Sequence, residues 1–216
     1  SFRDDPLRML RAARFVSQLR FAIVPEVRAA IVEHATDLRR ISAERIRDEL
    51  TKLMTGADPV AGLRLLVDTG LADQFLPELP GLRLEIDEHA QHKDVYEHTL
   101  TVVRNAISHE DGEPDFILRL AALMHDIGKP ATKAVSPDGR VSFHHHEVVG
   151  ARMTRARMKQ LRFPKDVTAQ VAKLVALHLR FYGYGRGEWT DSAVRRYVHD
   201  AGDLLPRLHK LVRSDC

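Results

Sequence analysis

LAALMHDIGKP, residues Leu120–Pro130, is an apolar run that sets His125 and Asp126 side by side and then breaks at Gly128 and Pro130. With Ile117, Leu118, Leu120, Leu123 and Met124, the stretch from 115 to 127 is apolar nearly all round, which predicts a buried helix. Two coordinating side chains at the end of such a helix need partners, because an unpaired buried carboxylate costs on the order of several kcal/mol. The C-terminus of a helix also carries partial negative charge, which favours a cation near residues 125 and 126.

The same conflict recurs along the chain. His98 lies on the helix side of Val95 and Val102, His178 extends the stripe Val167, Val171, Leu174, and Asp215 extends Leu204, Leu208, Leu211. Taken alone, His178 reads as a hydrogen-bonded core histidine. Taken together, these positions put imidazoles and carboxylates where the pattern asks for core, and one divalent cation would satisfy several of them at once. The run HHHE at 144–147 is not the HExxH zinc signature, since Gly150 stands where the second histidine would be. His146, at a hairpin-to-helix junction, is a candidate for a second metal or a phosphate contact. His144 and His145 read as exposed, and His89 and His92 as loop residues within reach of a substrate.

Composition sets outer limits. Of 216 residues, 44% are hydrophobic and 29% charged, an ordinary globular balance that argues against disorder. No apolar run approaches the roughly 18 residues of a membrane span, and the N-terminus lacks a signal-peptide core. The single Cys216 excludes an internal disulfide framework and fits a reducing cytoplasm. Net charge +3 permits nucleic acid without demanding it. A chain that starts at Ser1 and stops one residue after an acidic position in a helical pattern is expected to be a segment of a longer protein.

The pattern is helical nearly throughout, which predicts an all-α fold with one small β-hairpin. Asp4-Asp5-Pro6 begins a helix whose apolar stripe is Met9, Ala13, Val16 and Leu19. Further helices are expected over 25–35, 42–54 with Ser42 as cap, 58–69 and 71–76, then from a capping-box-like Asp94-Val95-Tyr96-Glu97 to about 108. A hairpin turning at Asp138-Gly139 follows the 115–127 helix, and helices over 147–161, 165–180, 190–201 and 203–214 complete the chain. Pro77–Glu85 is the best boundary, which divides a first helical region, 1–80, from a second, 81–216. YGYGRGE, Tyr182–Glu188, reads as a glycine-rich loop with little of a phosphate-binding loop about it.

His98, then His125-Asp126, then a distal Asp215 resembles the H…HD…D pattern of HD-domain metal-dependent phosphohydrolases, and LAALMHDIGKPATK is close to that family's wording. The resemblance implies that His98, His125, Asp126 and Asp215 hold a divalent metal (Mg, Mn, Ni, Co or Zn), and that His146 and His178 match histidines some members use for a second metal or the substrate phosphate. Such a metal lowers the pKa of bound water and withdraws charge from a phosphoryl oxygen, with His125 and Asp126 at the reacting centre and Lys129 a compact cation at its mouth.

RDDPLRMLRAARFVSQLRF, Arg3–Phe21, resembles a motif of bacterial CCA-adding tRNA nucleotidyltransferases and their poly(A) polymerase relatives. ISAERIRDELTKLM, GLADQFLPEL and WTDSAVRR look similar to other parts of the same family. The resemblance implies that Asp5 and Arg8 select CTP and ATP by imitating a template edge, accepting from the base amino group and donating to a ring acceptor. Arg11 would contact the triphosphate, and the tRNA 3′ end would be the macromolecular partner. On spacing alone, Asp5 and Arg8 are an exposed pair worth a few tenths of a kcal/mol. The family's catalytic palm is expected before residue 1 and its tail after Cys216, so residues 1–216 by themselves are expected to polymerise nothing. The alternatives are a poly(A) polymerase and a stand-alone HD nucleotidase or phosphodiesterase.

Overall fold

The structure, a computed structural model, describes residues 1–88, 91–181 and 190–216, those at 85–88 and 91–93 by backbone alone. His89, the glycine-rich loop and Trp189 therefore lie outside the described residues, as does the side chain of His92.

The chain is all-α with two short hairpins. α1 (Leu7–Leu19) buries Leu7, Met9, Leu10, Ala13 and Val16. Asp5 supports its start by accepting from the Leu7 N–H at 3.3 Å. Leu19, expected on the same stripe, is 51% exposed, because the helix ends there in a left-handed Arg20 and its last turn leaves the core. α2 (Pro25–His34) runs into a 3-10 turn, Ala35–Arg40, that the sequence pattern did not distinguish from helix or loop. α3 (Ala43–Met54) begins at Ser42, whose hydroxyl accepts from the Arg45 N–H, and α4 (Pro59–Asp68) begins at Asp58 in the same manner. α1 packs on both α3 and α4. The helix expected over 71–76 is reduced to a 3-10 turn, Ala72–Gln74.

A hairpin of β1 (Glu85–Glu88) and β2 (Gln91–Asp94) comes next, antiparallel, with Glu85 opposite Asp94 and Asp87 opposite His92. It was missed in the sequence because its residues are mostly charged or polar and show no apolar alternation. Asp94 then caps α5 (Val95–Ser108) by accepting from the Tyr96 N–H at 2.9 Å. The anticipated capping box does not form. Glu97 turns away and takes a bidentate pair from Arg64, at 2.6 Å to Nη1 and 2.5 Å to Nη2.

α6 (Phe116–Met124) is the hub, packed against α3, α5, α9 and α11. It stops at Met124, three residues earlier than the apolar pattern suggests. His125 to Gly128 form a turn into α7 (Lys129–Thr132). The expected hairpin, β3 (Ala134–Val135) with β4 (Val141–Ser142), follows. α8 (His146–Gln160) and α9 (Lys165–Leu177) pack as a pair, and α9 gives way to a 3-10 turn, His178–Phe181. α10 (Asp191–Ala201) and α11 (Leu205–Asp215) close the chain, α11 lying on α5 and α6.

One apolar cluster includes buried residues from Leu7 to Val212. Arg119 ties the end of α3 to α6 beside this cluster. Its guanidinium, 3% exposed, pairs with Glu110 at 2.6 and 2.7 Å and donates to the Met54 and Gly56 carbonyls at 2.7 and 2.8 Å. This buried charge fixes α6 to the end of α3. No helix among the described residues is long and apolar enough to cross a membrane.

Candidate metal centre

The turn after α6 carries His125 and Asp126 into the middle of four other elements. His98 comes from α5, His146 from the first residue of α8, His178 from the end of α9 and Asp215 from the end of α11. His98 Nε2 lies 2.9 Å from Asp215 Oδ1, and His125 Nε2 lies 3.4 Å from the same oxygen and 3.2 Å from Asp126 Oδ2. His146 Nε2 is 3.2 Å from Asp126 Oδ1, and Lys129 Nζ is 2.9 Å from Asp126 Oδ2. All six residues expected around a metal thus meet in one place, with Lys129 beside them.

Three of the histidines are held alike. His125, His146 and His178 each set Nδ1 against the carbonyl oxygen three residues earlier, Ala122 at 2.8 Å, Phe143 at 2.9 Å and Val175 at 2.7 Å. That bond makes Nδ1 a protonated nitrogen and turns Nε2 inward, the orientation a metal-ligating histidine needs. All three Nε2 atoms are buried without a hydrogen-bond partner among the described residues; the nearby carboxylates are close but misaligned. A buried ring nitrogen without a partner in a dry site is costly, and three of them turned toward the carboxylates of one cluster fit a cation. The donor atoms fall into two triplets, His98, His125, Asp215 and Asp126, His146, His178, each within 4.8 Å.

The electrostatics agree. Burial works against a charge on His125, but Asp126 and Asp215 outweigh it and hold its pKa up at about 10. Burial would raise Asp126, yet His125, His146 and Lys129 keep it well below the ordinary carboxylate range, and Asp215 is lowered likewise by His125 and His98. His178 is pushed down to about 4 by burial and then by the charge on His125. Positive charge is therefore favoured at the centre.

Gly128 sets how closely the turn approaches α8. A Cβ there would stand 2.2 Å from the His146 carbonyl oxygen and 2.7 Å from the Gly150 nitrogen, so any side chain must push α8 and His146 outward. Gly128→Ala is expected to lower stability by about 1–3 kcal/mol, as overpacking does. Cation affinity should fall as well, while Thr132→Ala, one turn further on, leaves affinity unchanged. Chemical denaturation and a cation titration on each variant check this.

His144 and His145 are exposed, as expected. At the other end of the chain, Asp5, Arg8 and Arg11 lie near a cleft of about 500 Å³ lined by Arg8, Arg11, Arg14, Phe15, Glu49 and Lys52. Asp5 is not part of that lining. Its carboxylate faces Arg45 at 3.5 Å and Arg11 at 3.8 Å. Glu49 was overlooked in the sequence. It is 5% exposed and lies 3.2 Å from Arg14 and 3.8 Å from Arg11. The available signal was a carboxylate on the stripe Ile46, Leu50, Leu53.

Comparison with known proteins fits this arrangement. Residues 20–82 match the model of the probable RNA and SrmB-binding site of polymerase A, and residues 95–208 match that of the HD domain. An A-adding tRNA nucleotidyltransferase of Deinococcus radiodurans is 37% identical over 221 aligned positions, covering 100% of this chain and 50% of that protein. A CC-adding tRNA nucleotidyltransferase of Thermus thermophilus is 37% identical over 98% of this chain and 49% of its own length. A multifunctional CCA protein of an Azoarcus species is 33% identical over 80% of this chain and 42% of its own. The chain spans about half the length of the curated relatives it matches. With the HD model covering more than half of its residues and the polymerase A model most of the remainder, the chain belongs to the HD-domain family, as a member akin to the tRNA nucleotidyltransferases.

Proposed function

We propose that the chain is the neck and HD portion of a tRNA nucleotidyltransferase, with residues 1–80 serving nucleotide selection and residues 81–216 serving as a metal-dependent phosphohydrolase. The observation that carries the hydrolase reading is the convergence of His98, His125, Asp126 and Asp215, with three histidines locked to present Nε2. These four residues hold a divalent cation, and His146 and His178 with Asp126 offer a second position. When bound, the cation supplies Lewis acidity for hydrolysis of a phosphomonoester or a 2′,3′-cyclic phosphate at an RNA end. Asp126 orients the centre by facing His125, His146 and Lys129. The Lys129 ammonium, 18% exposed and 2.9 Å from Asp126, would compensate the charge of an incoming phosphate oxygen. A cation held here would compete with the proton that Asp126 and Asp215 favour on His125, so its uptake would be coupled to proton release.

In the neck, Asp5 and Arg8 select CTP and ATP, and Arg11 contacts the triphosphate. Similarity along the whole chain to an A-adding and a CC-adding enzyme favours a second reading, in which the parent completes only part of the CCA end. The test is incubation of the whole parent protein with tRNAs ending before C74, before A76 or complete, with each nucleoside triphosphate. Incorporation of both CMP and AMP supports CCA addition, and AMP only on the tRNA ending in CC supports the A-adding reading. Long AMP tracts would point instead to poly(A) polymerase, and no incorporation would remove the transferase assignment.

A further inference from the structure

The outer face of α8 carries a line of cations to which nothing above gives a role. Between Val148 and Lys165 the sequence has six arginines and lysines and no carboxylate, although the whole chain is only +3. The other residues are therefore net negative, and the positive excess is concentrated here. Arg152, Arg155 and Lys159 recur at three- and four-residue spacing on the side of α8 opposite the buried His146, Gly150 and Thr154. Arg162 prolongs the line past the helix end. All four are exposed, and none of their side chains has an ion-pair or hydrogen-bond partner among the described residues. A solvated helix face is more stable with alternating charge, because like charges three or four positions apart oppose one another. The helix dipole accounts for Lys159 in the last turn, but not for Arg152 and Arg155 in the middle. The arrangement works against the helix and favours a partner of repeating negative charge.

Where the line leads identifies that partner. α8 begins at His146 of the metal centre and is about 22 Å long. Just past its far end, the Arg162 carbonyl accepts from Arg47 of α3 at 2.7 Å. α3 lies within residues 20–82, the segment that matches a probable RNA-binding site. The cations thus bridge the metal centre and the neck. A lipid surface fits less well, since the buried face of α8 is packed on α9 and is not free to insert.

We propose that this face of α8 holds the sugar-phosphate backbone of the RNA whose 3′ end the chain serves, so that one RNA lies across the neck and the metal centre together. The proposal rests on the tRNA-end reading above and not on hydrolysis at the metal centre. Contacts of this kind position an RNA without reading its sequence. The probe is a tRNA transcript bound to the whole parent protein, followed by fluorescence anisotropy across a KCl series. Arg155→Gln with Lys159→Gln removes two phosphate contacts, and glutamine keeps the helix propensity of the residues it replaces. The slope of log K against log salt should become shallower by about 1.4–1.8, with affinity at roughly 0.1 M salt falling about tenfold or more. Arg195→Gln with Arg196→Gln, exposed on α10, removes the same charge elsewhere and should leave the slope unchanged. An unchanged slope in the α8 variant, or an equal change in both variants, would overturn the proposal. Should the unaltered protein not bind tRNA at all, the tRNA-end reading fails and the proposal with it. Phosphatidylserine vesicles are the competing probe: capture that the α8 substitutions abolish, with tRNA affinity unmoved, would reassign the face to a lipid surface.

Discussion

Asp126→Ala is expected to abolish both cation binding and phosphohydrolase activity while leaving a folded protein. The carboxylate lies 3.2 Å from both His125 and His146 and 2.9 Å from Lys129, so its loss removes a ligand of one donor triplet that also faces a histidine of the other and the lysine. Removing even an outer partner of a metal ligand costs about 10–100-fold in affinity, and loss of a ligand itself should exceed that. Without Asp126, His125 loses its principal counter-charge and reverts toward the neutral imidazole that burial favours. That relief limits the stability cost, so the far-UV circular dichroism should stay native. Inductively coupled plasma analysis and a phosphate-release assay read the outcome. Retained metal with retained hydrolysis would remove Asp126 from the centre.

The largest effect on stability is expected at Arg119. Arg119→Met leaves Glu110 buried without its bidentate partner and orphans the carbonyls of Met54 and Gly56. Breaking one side of a buried pair costs about 3–5 kcal/mol, whereas replacing both sides with apolar groups is often close to neutral. The double substitution Arg119→Met with Glu110→Leu should therefore recover part of the loss. Urea denaturation of the single and double variants measures both. A loss below about 1 kcal/mol in the single variant would mean that the pair contributes no more than a surface bridge.

Arg119 also marks where sequence reasoning stops. Helix positions were legible wherever capping chemistry and apolar spacing agreed, as at Ser42 and Asp94. They failed where tertiary contacts reassigned a residue. Glu97 fits a capping box on paper but pairs with Arg64 across the fold, and no local pattern announces a partner 33 positions away. α6 stops at Met124 although the apolar run continues, because the turn has to aim His125 and Asp126 inward and because Gly128 allows close contact with α8. The charged β1–β2 hairpin has no apolar alternation to betray it.

The site was more legible than the joints. His98, His125, Asp126, His178 and Asp215 stood out in the sequence because each puts a polar group on an apolar stripe, and physical economy argued that they share one need; His146 stood out by its place at the hairpin-to-helix junction and by the family resemblance. The common Nδ1-to-carbonyl clamp on three histidines was not legible, since it depends on each residue closing a helix or turn with its carbonyl acceptor three positions back. Glu49 was hidden for a similar reason. A lone carboxylate on a stripe gains meaning only when Arg11 and Arg14 of another helix are seen beside it.

The central claim is that the converging histidines and aspartates hold a divalent cation. Anomalous diffraction from crystals grown in Mn²⁺ or Ni²⁺ tests it most directly. The account predicts at least one peak bounded by His98, His125, Asp126 and Asp215, absent in Asp126→Ala crystals, with a second near His146 and His178 if both triplets fill. No peak among these residues with any of the candidate metals would contradict it.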